Sequence, residues 1–366
     1  MLARRMKLID SSGIRKVFDL AAKLKDPINL SIGQPDFDIP DEIKEIGIQS
    51  IREGFNRYTV TQGIPELREA VREHYRRKYS VEFEDTLITS GVSGGLLLAF
   101  MALIEEGDEV LLPDPYFVMY KHLANLLGGK PVFVNTYPDF TLAPEKLEEK
   151  VTKRTKMLVI NSPANPTGRA YSSEELRSIA EFARKHNLLV VTDEIYDHFI
   201  YDQTPDTFAK YYEKTLLLNG FSKSSAMTGW RLGYAAGPRE IIESMKMLQQ
   251  YSFVCAPSFA QKAGLAALDL DITQHIADYR SKRDLIYEGL KGYFDVEKPG
   301  GAFYIFPKAP GDDGVKFVEK AIANNLLIIP GNVFSERNTH FRISFAAPDE
   351  TILRGIEVLQ KLAKQF

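Results

Sequence analysis

The run Leu188–Thr192, LLVVT, restricts the possible folds more than any other stretch of the chain. It lacks the polar alternation of a strand with one wet face, so both faces must be covered. Strands of this kind sit inside parallel sheets flanked by helices. The run ends on Asp193, and open α/β sheets bind ligands at the C-terminal ends of their strands. A second apolar run, Met157–Ile160, leads into Asn161-Ser162-Pro163-Ala164-Asn165-Pro166-Thr167-Gly168. A third opens the stretch Thr215–Tyr234, which passes Gly220 and reaches Phe221-Ser222-Lys223.

These strand ends carry the chemistry. A carboxylate at the end of a buried strand is costly unless a cation faces it. A lone lysine is usually a solvated surface charge, yet Lys223 follows an apolar strand and is boxed in by Gly, Ser and Ala. Arg231 follows 8 residues later, within Gly229-Trp230-Arg231-Leu232-Gly233. Such a lysine can condense with an aldehyde, while Ser222 and the forked Arg231 guanidinium can hold a phosphate. Further upstream, a strand at Thr86–Ser90 runs into Gly91-Val92-Ser93-Gly94-Gly95. This reads as a glycine-rich turn before a helix from Leu96 to Glu106, with Val92 and Ser93 at an anion site of free N–H groups.

The sequence from Gly220 to Gly233 resembles the lysine signature of the class I/II aminotransferases, which are fold-type I enzymes dependent on pyridoxal 5′-phosphate (PLP). Its AMTGWR portion is similar to the branch of bacterial and archaeal aspartate and aromatic aminotransferases, and matching motifs run from Gly33 to Arg342. The resemblance implies an α/β fold, with a large PLP-binding domain (41–270) built on a mostly parallel central sheet. A smaller α+β domain would be formed from both chain ends (1–40 and 271–366). It also implies roles. Lys223 would hold the cofactor and move the substrate proton, Asp193 would pair with the pyridine nitrogen, and Tyr196 and Asn165 would bind the ring hydroxyl. Phe117 would stack on the ring, with Tyr116 as the alternative. Val92, Ser93, Ser222 and Arg231 would hold the phosphate, joined by Tyr58 from the partner of a homodimer. Gly33, Asn165 and Arg342 would bind the substrate carboxylate. Without the resemblance, Tyr58 and Phe117 read as surface or packing aromatics and Arg342 as an edge-strand cation.

The expected activity is transfer of an amino group from an L-amino acid, aspartate or aromatic, to a 2-oxo acid such as 2-oxoglutarate by ping-pong kinetics. A PLP-dependent carbon–sulfur β-lyase and a non-catalytic PLP-binding regulator are the rivals. Two positions depart from the family pattern. Ser93 stands where aspartate-preferring relatives often carry lysine, and Gly220 where many carry a phosphate-binding serine.

A net charge of −3 over 366 residues gives no reason to expect nucleic acid or an anionic membrane as partner. A single cysteine, Cys255, fits a cytoplasmic setting. No 18-residue apolar run and no secretory signal is present. The 6 histidines are dispersed, so no protein metal site is expected. Helices are expected over 14–24, 41–54, 65–79, 173–186, 238–251, 258–268, 273–293, 313–324 and 349–364. Strands are expected near 294–307, 326–329 and 340–345, with Arg342 opposite Phe341 and Ile343.

Overall fold

The computed structural model describes residues 2–10, 13 and 24–365; the helix expected over 14–24 lies, apart from Leu24, outside them. After the short strand β1 (Ile28–Asn29) come β2 (Asp85–Ser90), β3 (Glu109–Asp114), β4 (Lys130–Asn135), β5 (Thr155–Asn161), β6 (Leu189–Asp193), β7 (Thr215–Gly220) and β8 (Leu232–Gly237). Among the described residues, β2 to β8 form one sheet in the order β2-β8-β7-β6-β5-β3-β4. β8 runs against both neighbours and the other six share one direction.

Both faces of this sheet are covered, as the unbroken apolar runs require. On β6, Val190 points into a cluster with Leu176 and Ile179 of the helix Ser173–Lys185. Its neighbour Val191 points the other way, into a cluster with Leu96 and Ile242 from two further helices. Each such side chain, fully buried, contributes roughly 1.5–3 kcal/mol. The helix Ser173–Lys185 begins with a reciprocal cap between Ser172 and Glu175.

The C-terminal region adds β9 (Tyr304–Ile305), β10 (Leu326–Leu327), β11 (Ile329–Pro330) and β12 (Phe341–Ser344). β12 lies between β11 and β9, all antiparallel, and β10 pairs with β1 in parallel. Ile28 and Leu30 share a core with Ile352, Ile356 and Leu359 of the helix Asp349–Ala363, so both ends of the described chain meet.

Several local expectations change. The segment Gly91–Gly95 is not a turn before a helix: the helix starts at Gly91 and ends at Leu103. Gly91 enters it at φ +67°, a value glycine adopts without strain. The strand expected over 294–307 contracts to Tyr304–Ile305, because the chain there meets its sheet only briefly. Arg342 is not on an edge: β12 is central, and all four of its residues are buried whichever face they take. β4 was not anticipated; its residues are mostly half-buried or exposed and include Pro131, tolerated at a sheet edge.

Candidate active site

Because β2, β3, β5, β6 and β7 run the same way, the segments that leave their C-terminal ends converge on one edge of the sheet. That edge opens into a cavity of about 240 Å³. Val92, Ser93 and Leu96 reach it after β2, Phe117 after β3, Asn165 after β5, Ile195 and Tyr196 after β6, and Ser222, Lys223 and Arg231 after β7. Gly33, Tyr304 and Arg342 close it from the other side.

Backbone packing shapes the Arg231 end of the cavity. A Cβ on Gly220 would lie 2.8 Å from Gly233 Cα, and one on Gly233 would lie 2.8 Å from the Val92 nitrogen. β7, β8 and the start of the helix Gly91–Leu103 therefore touch through bare backbone, so a serine at position 220 has no room. Arg231, at φ +55°, donates from Nη1 to the Thr228 carbonyl at 2.9 Å. Its guanidinium lies over Gly91, within 2.6 Å of where a Cβ would stand. Ser90 supplies no side-chain cap to that helix, so its first N–H groups stay available to an anion beside Arg231.

Asp193, 3% exposed, forms the floor. Its Oδ2 accepts from the Tyr120 hydroxyl at 2.7 Å and its Oδ1 from the Ile195 N–H at 3.3 Å. Burial raises its pKa to about 6, against those hydrogen bonds and the Lys223 charge. Lys223 Nζ donates to the Gly33 carbonyl at 2.7 Å. Burial first, then the charges of Arg342 and Arg231, push this amine down to about 8.

Arg342, 1% exposed, donates to Asn165 Oδ1 at 3.0 Å and to the Ser31 carbonyl at 2.7 Å. Its buried Nε has no partner, and no carboxylate among the described residues pairs with it. A buried cation held only by neutral oxygens is costly until an anion arrives. Among the described residues lining the cavity, three cations (Lys223, Arg231, Arg342) face the single carboxylate of Asp193. That balance suits a ligand set with anionic groups at both ends and a cationic or proton-bearing group against Asp193.

Phe117 lines this cavity, whereas Tyr116 is 3% exposed, stacked on Phe133 at 5.0 Å, and donates to Glu336 at 2.7 Å. Tyr58 does not line the cavity of its own chain and is 82% exposed. Sequence reasoning missed Tyr120 and Tyr304, whose hydroxyls meet Asp193 and Tyr196. An aromatic in an apolar context carries no outward sign of a polar task.

A model of the family described as "Aminotransferase class I and II" matches residues 25–359. The chain is 40% identical to a probable aspartate aminotransferase of Methanocaldococcus jannaschii, over 99% of this chain and 100% of that one. It is 36% identical to the aromatic-amino-acid aminotransferase 2 of Thermococcus litoralis, over 100% and 98% respectively. Its fold is similar to that of the aspartate aminotransferase of Thermus thermophilus solved with maleate, at TM-score 0.93 and 35% identity, covering 99% of each chain.

Proposed function

The chain belongs to the class I and II aminotransferase family and is a PLP-dependent aminotransferase, and from that premise we propose how its own residues share the work. Bound PLP supplies an aldehyde that condenses with amines and a ring that draws electrons from the neighbouring carbon. The cavity fits it: a phosphate suits Arg231, Ser222 and the uncapped helix N-terminus, and a protonated ring nitrogen suits the carboxylate of Asp193. Phe117, Tyr196 and Asn165 line the cavity, where Phe117 would cover a ring face and Tyr196 and Asn165 would offer hydrogen bonds to a ring oxygen.

Arg342 binds the α-carboxylate of the amino acid with its planar fork, and Asn165 and the Gly33 backbone border the same place. Lys223, whose amine sheds its proton more readily than an ordinary lysine, takes the proton from the α-carbon. The observation that carries this reading is the uncompensated Arg342 cation opposite the Arg231 end, with Lys223 between them.

We assign 41–270 to the cofactor-carrying unit and both chain ends to the unit that brings Gly33 and Arg342. The enzyme works as a cytoplasmic homodimer in which Tyr58 reaches the partner's phosphate site. In keeping with a dimer, Tyr251, Tyr58, Met247 and Val60 are 91%, 82%, 57% and 54% exposed. Phe253 packs beside Gly94, on the helix whose Val92, Ser93 and Leu96 line the cavity. No helix among the described residues is long and apolar enough to cross a membrane.

The donor is aspartate or an aromatic amino acid, and the acceptor a 2-oxo acid such as 2-oxoglutarate. Ser93 at the cavity rim supplies no charge to a distal carboxylate, which favours breadth over strict aspartate preference. Titrating separate L-amino acids into the PLP-loaded enzyme tests this. Aspartate and aromatic donors should convert the long-wavelength cofactor band to a shorter-wavelength one without oxo acid. Failure of both donor classes, or pyruvate release from cysteine, would overturn it.

A further inference from the structure

Tyr304 belongs to none of the motifs above, yet it touches three parts of the site. It stands on β9, in register with Ser344 of β12, and is 1% exposed. The Arg342 guanidinium lies over its ring at 4.6 Å. Its hydroxyl is 2.8 Å from that of Tyr196. The same hydroxyl sits over Gly33, where a Cβ would come within 2.4 Å of it. Resting on the proposed function, we propose that Tyr304 is a positioning residue, which braces the carboxylate clamp through its ring and aims the Tyr196 hydroxyl at the cofactor's ring oxygen through its own.

The argument from hydrogen bonding is a count. Two phenols in mutual contact hold two O–H donors, and their shared bond uses one. When Tyr304 is the donor, the Tyr196 proton is left to point into the cavity, which Tyr196 lines. When Tyr196 is the donor, its proton is spent on Tyr304 and the Tyr196 hydroxyl has none to offer the cofactor's ring oxygen. An anionic ring oxygen selects the first arrangement, and a hydroxyl that accepts one hydrogen bond donates a stronger one. Burial drives the pKa of both phenols upward, so both remain donors. The charged groups facing the pair are Arg342, Asp193 and Lys223, and Tyr304→Phe leaves all three in place. The ring has a separate task. Arg342 is sandwiched between Tyr304 and Phe334, at 4.6 and 4.7 Å, which holds its plane where neutral oxygens alone would leave it free to tilt.

The test is the pH midpoint of the visible band of the PLP-loaded enzyme, measured in wild type, Tyr304→Phe, Tyr196→Phe and the double variant. A hydrogen bond donated to the ring oxygen favours its anion and lowers the midpoint. Tyr196→Phe should raise it most, and Tyr304→Phe should raise it by about 0.3 pH unit, the share expected from one cooperative bond. In the Tyr196→Phe background, the second substitution should add nothing. Donor KM should stay within about twofold in Tyr304→Phe and rise about threefold in Tyr304→Leu, which also removes the ring. A band in wild type whose midpoint is unmoved by Tyr304→Phe, or moved equally in the Tyr196→Phe background, would overturn the inference alone. A wild type that forms no band would overturn the proposed function as well.

Discussion

The two cation-lined ends of the cavity are built in opposite ways. At the Arg231 end the positive potential comes from backbone: the start of the helix Gly91–Leu103, glycines that let three backbone segments touch, and an arginine that stays exposed. At the Arg342 end it comes from a side chain 1% exposed, held by Asn165, the Ser31 carbonyl and two aromatic rings, with Nε unpartnered. Backbone donors cost nothing to desolvate anew and suit a permanent guest. A buried cation awaiting its partner suits a guest that comes and goes, because each arrival relieves the same electrostatic debt.

Lys223 stands between the ends, and its replacement gives the largest effect. Lys223→Arg should keep both anion sites and lower turnover by roughly 10³–10⁴-fold. Rapid-quench kinetics alongside equilibrium donor binding would separate the two quantities. A variant that lost binding as well would mean that the ends do not act independently of the centre.

Arg342→Lys should weaken donor binding by about 10²-fold, since a point charge replaces a bidentate fork in a buried place. Cofactor retention should be unchanged, as read by gel filtration of the loaded enzyme. At the other end, Gly220→Ser tests the backbone-built design. A side chain there meets the Gly233 Cα at 2.8 Å, so the variant should lose about 1–3 kcal/mol of stability in denaturant melts rather than bind phosphate better.

Asp193 gives a smaller effect with an unusual sign. Burial lifts its folded pKa to about 6, above the ordinary aspartate value of 3.8, so the cofactor-free folded state holds its proton more tightly than the unfolded chain does. Stability of the apoprotein should therefore fall as pH rises from about 4 to about 6, by about 2–3 kcal/mol relative to Asp193→Asn. Urea melts of both proteins across that window would check it.

The two ends also differ in how openly the sequence announces them. Asp193, Asn165 and Lys223 each follow an apolar run, and a polar residue at the end of a buried strand is conspicuous because water cannot have placed it there. The helix start at Gly91 was misread because glycines disfavour helix interiors; only the approach of Arg231 and Gly233 explains why small residues occupy its first turn. Arg342 read as an edge cation because strand order between distant segments is invisible locally. Tyr120 and Tyr304 were hidden for a different reason. Their rings satisfy the core and their hydroxyls satisfy Asp193 and Tyr196, so one side chain answers two demands and only the first leaves a periodic trace. Tyr58 presents the reverse case, an exposed aromatic that does not reach the cavity of its own chain.

The division of labour is tested most directly by measuring PLP and amino-donor dissociation constants in Arg231→Lys and Arg342→Lys side by side, at low and high salt. Arg231→Lys should weaken PLP about tenfold and leave the donor constant nearly unmoved. Arg342→Lys should do the converse, and only the exposed Arg231 end should respond strongly to salt. Equal losses of both ligands in both variants would contradict two separately built ends.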